Sequence, residues 1–141
     1  MRARPYRTLD CSPARILIVE DDDAMRRAMS AQMRCAGHDC VAVDSAERAL
    51  AAWQGREFDL LIADLRLPGA CGCDLIEWIM DAEFVPVIVV TGYLSEHAAR
   101  LASVPNVLVL EKPVEPIRLL HAIRSSLLKE RGDRANALGP S

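Results

Sequence analysis

Residues 60–64 read Leu-Leu-Ile-Ala-Asp, so an unbroken apolar run ends on a single carboxylate. Comparable apolar runs lie at 16–19, 87–90 and 107–110, and a weaker one lies at 41–43. These runs are rich in β-branched residues and do not alternate with polar residues, which is typical of strands buried on both faces of a parallel sheet. The sequence therefore predicts five strands with helices packed on both sides.

Between the strands, apolar residues recur at the spacing of a helix face. The predicted helices lie at about 25–36, 46–53, 74–80, 95–103 and 116–128. Alternating strands and helices indicate an α/β fold, a doubly wound (βα)5 unit whose parallel five-stranded sheet has the flavodoxin-like order 2-1-3-4-5. Trp53 and Trp78 are predicted to pack their helices onto the sheet.

Length and charge limit the possible functions. The chain has 141 residues and a formal net charge of −3, which predicts one domain, over 14–130, between a flexible arm at 1–13 and a flexible tail at 131–141. The slight acidity disfavours a nucleic-acid partner. Since no apolar run approaches the ~20 residues of a membrane helix, and no signal peptide is evident, we expect a soluble cytoplasmic protein without membrane insertion.

The cysteine pattern gives little sign of a metal site. The five cysteines are Cys11, Cys35, Cys40, Cys71 and Cys73, and none form a Cys-x-x-Cys pair. With only three histidines available, a zinc site is not expected, and reduced thiols are the simplest interpretation. The histidines receive no predicted role.

Reactive side chains follow four of the predicted strands. Glu20 and Asp21 follow the first, Asp64 the third, Thr91 the fourth and Lys112 the fifth. Because the carboxyl ends of parallel strands share one edge of the sheet, these side chains should converge there. Clustered carboxylates repel one another unless a cation neutralises them, and such oxygen ligands suit Mg²⁺. One carboxylate beside a hydroxyl and an ammonium group predicts Mg²⁺-dependent phosphorylation of an aspartate.

Four segments carry a resemblance to a known family. Residues 16–22, 59–69, 87–92 and 111–113 read Ile-Leu-Ile-Val-Glu-Asp-Asp, Asp-Leu-Leu-Ile-Ala-Asp-Leu-Arg-Leu-Pro-Gly, Val-Ile-Val-Val-Thr-Gly and Glu-Lys-Pro. Together, in this order, they strongly resemble the response-regulator receiver domain of two-component signalling. The resemblance spans about 14–128.

The resemblance implies a role for each matching residue. It implies that Asp64 is the phosphoacceptor and that Mg²⁺, with Mn²⁺ as an alternative, is bound by Glu20, Asp21, Asp64 and the backbone carbonyl of Arg66. It also implies that Thr91 and Lys112 contact the phosphoryl group, and that the Lys112–Pro113 peptide bond is cis.

Two departures from the family pattern affect signalling. Val109 occupies a position where the family often has an aromatic switch residue, and a valine cannot swing a ring in and out. Arg66 and Tyr93 occupy positions that flank the path of the hydrolytic water in the family, so long side chains there should shield the phosphoryl group and slow its loss.

The predicted function is that of a stand-alone response regulator. Its implied partners are a sensor histidine kinase or a histidine phosphotransfer protein, and an unknown downstream protein that it signals to by contact or by phosphorelay. We expect a monomer or weak homodimer that is not an enzyme in the usual sense, although it promotes its own phosphotransfer and dephosphorylation. The alternatives are an aspartate-dependent phosphatase that uses Asp21 and Asp23, a flavodoxin, and a receiver-fold scaffold that phosphorylation does not regulate.

Overall fold

A computed structural model describes residues 13–54, 57–82, 85–92 and 94–138. Apart from one short hairpin of two strands, its helices and strands alternate in the predicted order along the chain. They are β1 (Arg15–Val19), α1 (Asp23–Cys35), β2 (Asp39–Val43), α2 (Ala46–Gln54), β3 (Leu60–Ala63), β4 (Arg66–Leu67), β5 (Ala70–Cys71), α3 (Gly72–Ala82), β6 (Val87–Thr91), α4 (Leu94–Ala102), β7 (Val107–Glu111) and α5 (Pro116–Leu138).

Five strands form one parallel sheet in the order β2-β1-β3-β6-β7. Numbered among themselves, they follow the flavodoxin-like order 2-1-3-4-5, which confirms the predicted fold class. Strand β3 lies at the centre, and all four of its residues are buried. The sheet therefore carries Asp64, the residue after β3, in the middle of its carboxyl edge.

Two apolar layers cover the sheet. Ile16 and Ile18 of β1 pack with residues of α1 and α5, whereas Leu17 and Val19 pack with residues of α2, α3 and α4. Successive side chains of a strand point to opposite faces, so the unbroken apolar runs supply both layers.

The helices begin where local sequence favours it. Asp22 caps α1, since its Oδ1 accepts a hydrogen bond of 3.0 Å from the backbone N–H of Met25. Ser45 Oγ accepts a bond of 3.2 Å from the N–H of Arg48 at the start of α2. Pro116 is the first residue of α5, where its missing N–H leaves no helical bond unmade.

Two features differ from the prediction. Strands β4 and β5 form a short antiparallel hairpin around Pro68 and Gly69, and the φ of +75° at Gly69 matches the glycine position of a type II turn. Helix α5 continues to Leu138, beyond the predicted helix end at about 128, whereas the domain boundary at 130 stays a prediction. Residues 129–138 are mostly helix-favouring (Lys, Glu, Arg and Ala), and they continue a helix without needing an apolar stripe.

Among the described residues, no helix is long and apolar enough to cross a membrane.

Candidate functional site

Backbone hydrogen bonds bring the reactive residues to one edge of the sheet. The N–H of Glu20 donates to the carbonyl oxygen of Val43 at 3.0 Å, and the N–H of Asp64 donates to that of Val19 at 3.1 Å. The N–H of Lys112 donates to the carbonyl oxygen of Thr91 at 2.9 Å. These bonds extend the parallel ladders by one residue beyond the strands, so the predicted convergence at the carboxyl edge is confirmed.

Lys112 bridges the two buried carboxylates of this edge. Its Nζ lies 2.8 Å from Oδ2 of Asp64 and 2.9 Å from Oε1 of Glu20. Glu20 is 1% exposed and Asp64 is 4% exposed. The Lys112–Pro113 peptide bond that follows is cis, as expected.

Burial and the lysine act in opposite directions on the charges. Burial raises the pKa of Glu20 above the usual carboxyl range, although the contact with Lys112 opposes this rise. For Lys112, burial alone lowers the pKa, but the contacts with Asp64 and Glu20 outweigh burial and the pKa lies above its usual value. The lysine therefore stays charged, and one ammonium group faces two buried carboxylates.

The acidic cluster fits a hard divalent cation. Glu20, the exposed Asp21 and Asp64 each offer a carboxylate oxygen, and these oxygens lie within 4.8 Å of one another. Among the described residues, Glu20 Oε1 is a buried oxygen without a well-aligned hydrogen bond. Its contact of 2.9 Å with Lys112 Nζ is ionic only. A carboxylate donor set with an unsatisfied buried oxygen suits Mg²⁺, which prefers oxygen ligands.

Thr91 and Val109 lie on the neighbouring strands β6 and β7. Thr91, the last residue of β6, is fully buried. Val109 is partly buried in β7, pairs with Val89 of β6 and packs against the apolar layer that includes Leu101 of α4. The residue at the expected switch position is thus an aliphatic side chain held in the core.

The chain makes a tight turn directly after Asp64. The N–H of Arg66 donates to Asp64 Oδ1 at 3.3 Å, and the N–H of Gly72 donates to the carbonyl oxygen of Leu65 at 2.7 Å. The side chain of Arg66 is exposed at the site. Tyr93, the other residue predicted to tune dephosphorylation, lies outside the described residues.

A family model described as the response regulator receiver domain matches residues 16–124. The chain belongs to the response regulator receiver domain family. Receiver domains bind Mg²⁺ at an acidic pocket, and in this receiver the acidic group is Glu20, Asp21 and Asp64. The match sets aside the phosphatase and flavodoxin interpretations of the sequence.

Among curated proteins, this receiver is similar to parts of larger regulators. It is 42% identical over 81 residues to the response regulator protein FleR of Pseudomonas aeruginosa, which is 57% of this chain and 17% of FleR. It is 31% identical over 117 residues to the transcriptional regulatory protein FixJ of Bradyrhizobium diazoefficiens, which is 79% of this chain and 56% of FixJ. The chain therefore spans between about a sixth and about half of the length of these relatives.

Solved structures show the same fold. The CheY-like receiver domain protein of Methanospirillum hungatei superposes with a TM-score of 0.80 at 29% identity, over 86% of this chain and 99% of that one. NtrX of Brucella abortus gives a TM-score of 0.83 at 25% identity, over 89% of this chain and 29% of NtrX.

Two contributors near the site were not predicted. Gly72 packs against the backbone that carries Asp64. The sequence gives no sign of this contact beyond the presence of a glycine a few residues after Asp64. Cys71 of the hairpin, Cys73 and His97 come together in a second cluster. Spacing did not reveal that cluster, because His97 lies on a different helix from Cys73.

Proposed function

We propose that this receiver accepts a phosphoryl group on Asp64 from a phosphohistidine of a sensor histidine kinase or a histidine phosphotransfer protein, in a Mg²⁺-dependent reaction. The observation that carries the proposal is the contact of 2.8 Å between Asp64 and Lys112 at a sheet edge that also holds Glu20 and Asp21. A buried carboxylate held next to a cation and two further carboxylates has the parts that phosphoryl transfer to an aspartate requires.

The transfer forms one bond and breaks one bond. An oxygen of the Asp64 carboxylate attacks phosphorus, the P–N bond of the phosphohistidine breaks, and the histidine nitrogen keeps the electron pair of that bond. The carboxylate is already oriented, since Oδ1 accepts from the N–H of Arg66 and Oδ2 from Lys112. Orientation of this kind lowers the entropic part of the barrier.

The phosphoryl oxygens are negatively charged, so the groups proposed to hold them are cations and a hydroxyl donor. Glu20, Asp21, Asp64 and the backbone carbonyl of Arg66 are the proposed Mg²⁺ ligands, and the bound cation supplies positive charge to the transferring phosphoryl oxygens. Lys112 contacts Asp64 at 2.8 Å and is proposed to exchange this contact for a phosphoryl oxygen. Thr91 is the proposed hydroxyl donor to a second oxygen.

The signal is proposed to leave through protein contacts or a phosphorelay. The phosphoryl group carries about −1.5 to −2 charges and replaces the single charge of the Asp64 carboxylate, so phosphorylation adds about −0.5 to −1 charge at the edge of the sheet. This charge, with the new phosphoryl oxygens, biases a two-state equilibrium of the neighbouring loops. Since Val109 carries no ring, the readout is proposed to run from Thr91 to the following segment and α4 without an aromatic rotamer change.

Mass spectrometry of the intact protein tests the acceptor. The chain is incubated with Mg²⁺ and phosphoramidate, a small donor whose P–N bond resembles that of phosphohistidine. We expect a mass increase of one phosphoryl group that needs Mg²⁺ and that is absent from Asp64→Asn. The matched control is Asp59→Asn, at the opposite end of β3, which should be phosphorylated like the parent chain.

Three results would contradict the proposal. Phosphate on Asp64→Asn would mean that another residue is the acceptor, and a label mapped to Asp21 would restore the phosphatase interpretation. No phosphorylation of the parent chain with Mg²⁺ would favour a scaffold. The stand-alone form of the receiver stays a prediction. Measuring the mass of the protein isolated from its own cells would test it.

A further inference from the structure

We infer that Cys71, Cys73 and His97 form a second metal site, selective for a borderline-soft cation such as Zn²⁺. Cys71 ends β5, Cys73 is the second residue of α3, and His97 lies in α4. The site therefore joins the hairpin to two helices, α3 and α4. It is independent of the proposed phosphotransfer.

The three ligand atoms are already close together. Cys71 Sγ lies 3.8 Å from Nδ1 of His97, and Sγ of both cysteines and the histidine nitrogen lie within 4.8 Å of one another. With Zn–S bonds of about 2.3 Å and Zn–N bonds of about 2.0 Å, tetrahedral ligands are separated by roughly 3.5–3.8 Å. A cation can therefore be accommodated with only small side-chain movements.

A backbone amide supports charge on one of the sulfurs. The N–H of Cys73 donates to Cys71 Sγ at 3.3 Å, a contact of the kind that stabilises metal-bound thiolates. Cys73 itself is 1% exposed. Burial, followed by the neighbouring Cys71, raises the pKa of the Cys73 thiol to about 11.

An ion-pair clamp holds the two helices of the site together. Arg100, one turn after His97 in α4, contacts Asp74 and lies 2.8 Å from Glu77, both on α3. Asp74 directly follows Cys73. The clamp therefore keeps His97 near the cysteines before any cation binds, which reduces the ordering that binding requires.

The ligand chemistry separates this site from the acidic cluster. Two thiolates and an imidazole suit Zn²⁺, whereas carboxylate oxygens suit Mg²⁺. Two thiolates neutralise a divalent cation, and three protein ligands leave a fourth position open. The hairpin links the two sites, because Cys71 pairs with Arg66, two residues after Asp64.

Cobalt absorption tests the site directly. The reduced, metal-free full chain is titrated with Co²⁺ in excess Mg²⁺, so that the acidic cluster is occupied. We expect one equivalent of Co²⁺ to bind with a thiolate-to-cobalt absorption band, Zn²⁺ to displace it, and protons to be released as the thiols ionise.

Variants identify the ligands. Cys71→Ala and Cys73→Ser should lose the band. Because removing an outer-shell partner weakens metal binding by about 10–100-fold, losing the direct ligand in His97→Ala should weaken Zn²⁺ binding by at least about 100-fold. Since Cys73 is buried and its variant can fail to fold, Cys71→Ala and His97→Ala decide the matter. Cys35→Ser and His121→Ala, both exposed, are the matched controls and should bind like the parent chain.

The inference fails on any of three results. The parent chain shows no thiolate band, or His97→Ala binds Zn²⁺ as tightly as the parent, or Cys35→Ser loses the band as Cys71→Ala does.

Discussion

Gly72, the first residue of α3, packs directly on the backbone carbonyl of Asp64. A Cβ built on Gly72 would collide with that carbonyl oxygen and would lie 2.8 Å from Cα of Leu65. The N–H of Gly72 also donates to the carbonyl oxygen of Leu65 at 2.7 Å. Helix α3 therefore sets the position of Asp64, the proposed phosphoacceptor, through backbone contacts that only glycine permits.

A methyl group at this position should displace the acceptor. We expect Gly72→Ala to lower the free energy of unfolding by about 1–3 kcal/mol, the usual effect of overpacking, and to slow phosphorylation of the chain. Urea unfolding and intact mass after incubation with phosphoramidate measure the two effects. Gly92→Ala is the control, since a Cβ there meets nothing within 4 Å. Equal stability of the two variants would show that the contact is not tight.

The apolar pattern predicts the fold well because burial on both faces leaves a strong signal. Strand β3 matches its predicted bounds of 60–63, and the other sheet strands extend their predictions by at most two residues. The hairpin of β4 and β5 was missed, since two-residue strands carry no periodicity. Trp53 is buried in the apolar layer on the sheet as predicted, where it stacks on Phe58. Trp78 is 41% exposed, so the prediction that it packs on the sheet is wrong.

The sequence predicts those residues of the site that lie at or directly after the ends of strands. Glu20, Asp64, Thr91 and Lys112 each occupy the position directly after or at the end of a strand, so topology alone brings them together. The contact of His97 with Cys71 depends instead on how α4 packs beside α3. No local pattern encodes the angle of that packing.

Loss of the bridging lysine should make the fold depend on Mg²⁺. Without Lys112, the buried carboxylates of Glu20 and Asp64 face each other with no cation. Since the lysine side chain is 24% exposed, water moderates the repulsion, and we expect Lys112→Met to lose about 1–3 kcal/mol in the absence of Mg²⁺. Thermal unfolding with and without Mg²⁺ should show a larger Mg²⁺-induced rise for the variant than for the parent.

The comparison uses a second lysine variant. Lys129→Met removes an exposed ammonium group from α5 and should leave the Mg²⁺-induced rise unchanged. If Lys112→Met and the parent gain the same stability from Mg²⁺, the lysine and the cation do not neutralise the same carboxylates.

The hydroxyl of Thr91 should carry the conformational signal without help from Val109. Beryllofluoride, which mimics a phosphoryl group, should change hydrogen exchange over 94–111 in the parent chain and in Val109→Ala. Thr91→Val keeps the shape of the buried side chain but removes its hydroxyl, and it should abolish the change. Thr91→Ser, which restores a hydroxyl, should recover it. A change that persists in Thr91→Val would mean that another group reads the phosphoryl state.

The exposed side chain of Arg66 should slow loss of phosphate. Arg66 follows Asp64, the proposed phosphoacceptor, by two residues, beside the expected path of the hydrolytic water. We expect Arg66→Ala and Tyr93→Ala to lose the phosphoryl group faster than the parent, by several-fold each. The decay of phosphorylated protein after removal of the donor gives the rates. Arg48→Ala, an exposed arginine on α2, is the control, and unchanged decay in both variants would contradict the shielding hypothesis.

At the opposite end of the sheet, His38 should make stability depend on pH. Its Nδ1 accepts a hydrogen bond of 3.0 Å from the N–H of Ala14, so the bond requires an unprotonated Nδ1. Burial lowers the pKa of His38 below 6.5, although Asp59 opposes this shift. The folded state therefore takes up the proton less readily than the unfolded state, and the contribution of His38 is complete above pH 6.5 and declines as the pH falls through its lowered folded pKa.

His38→Asn separates this effect from the other titrating groups. An asparagine oxygen can accept from the N–H of Ala14, but it does not titrate, and the remaining histidines are common to both chains. We expect the free energy of unfolding to fall more steeply for the parent than for His38→Asn between about pH 7.5 and pH 5.5, a range that spans the ordinary histidine pKa. Urea unfolding at each pH measures the difference. Parallel pH profiles for the two chains would show that the Ala14 bond does not depend on the charge of His38.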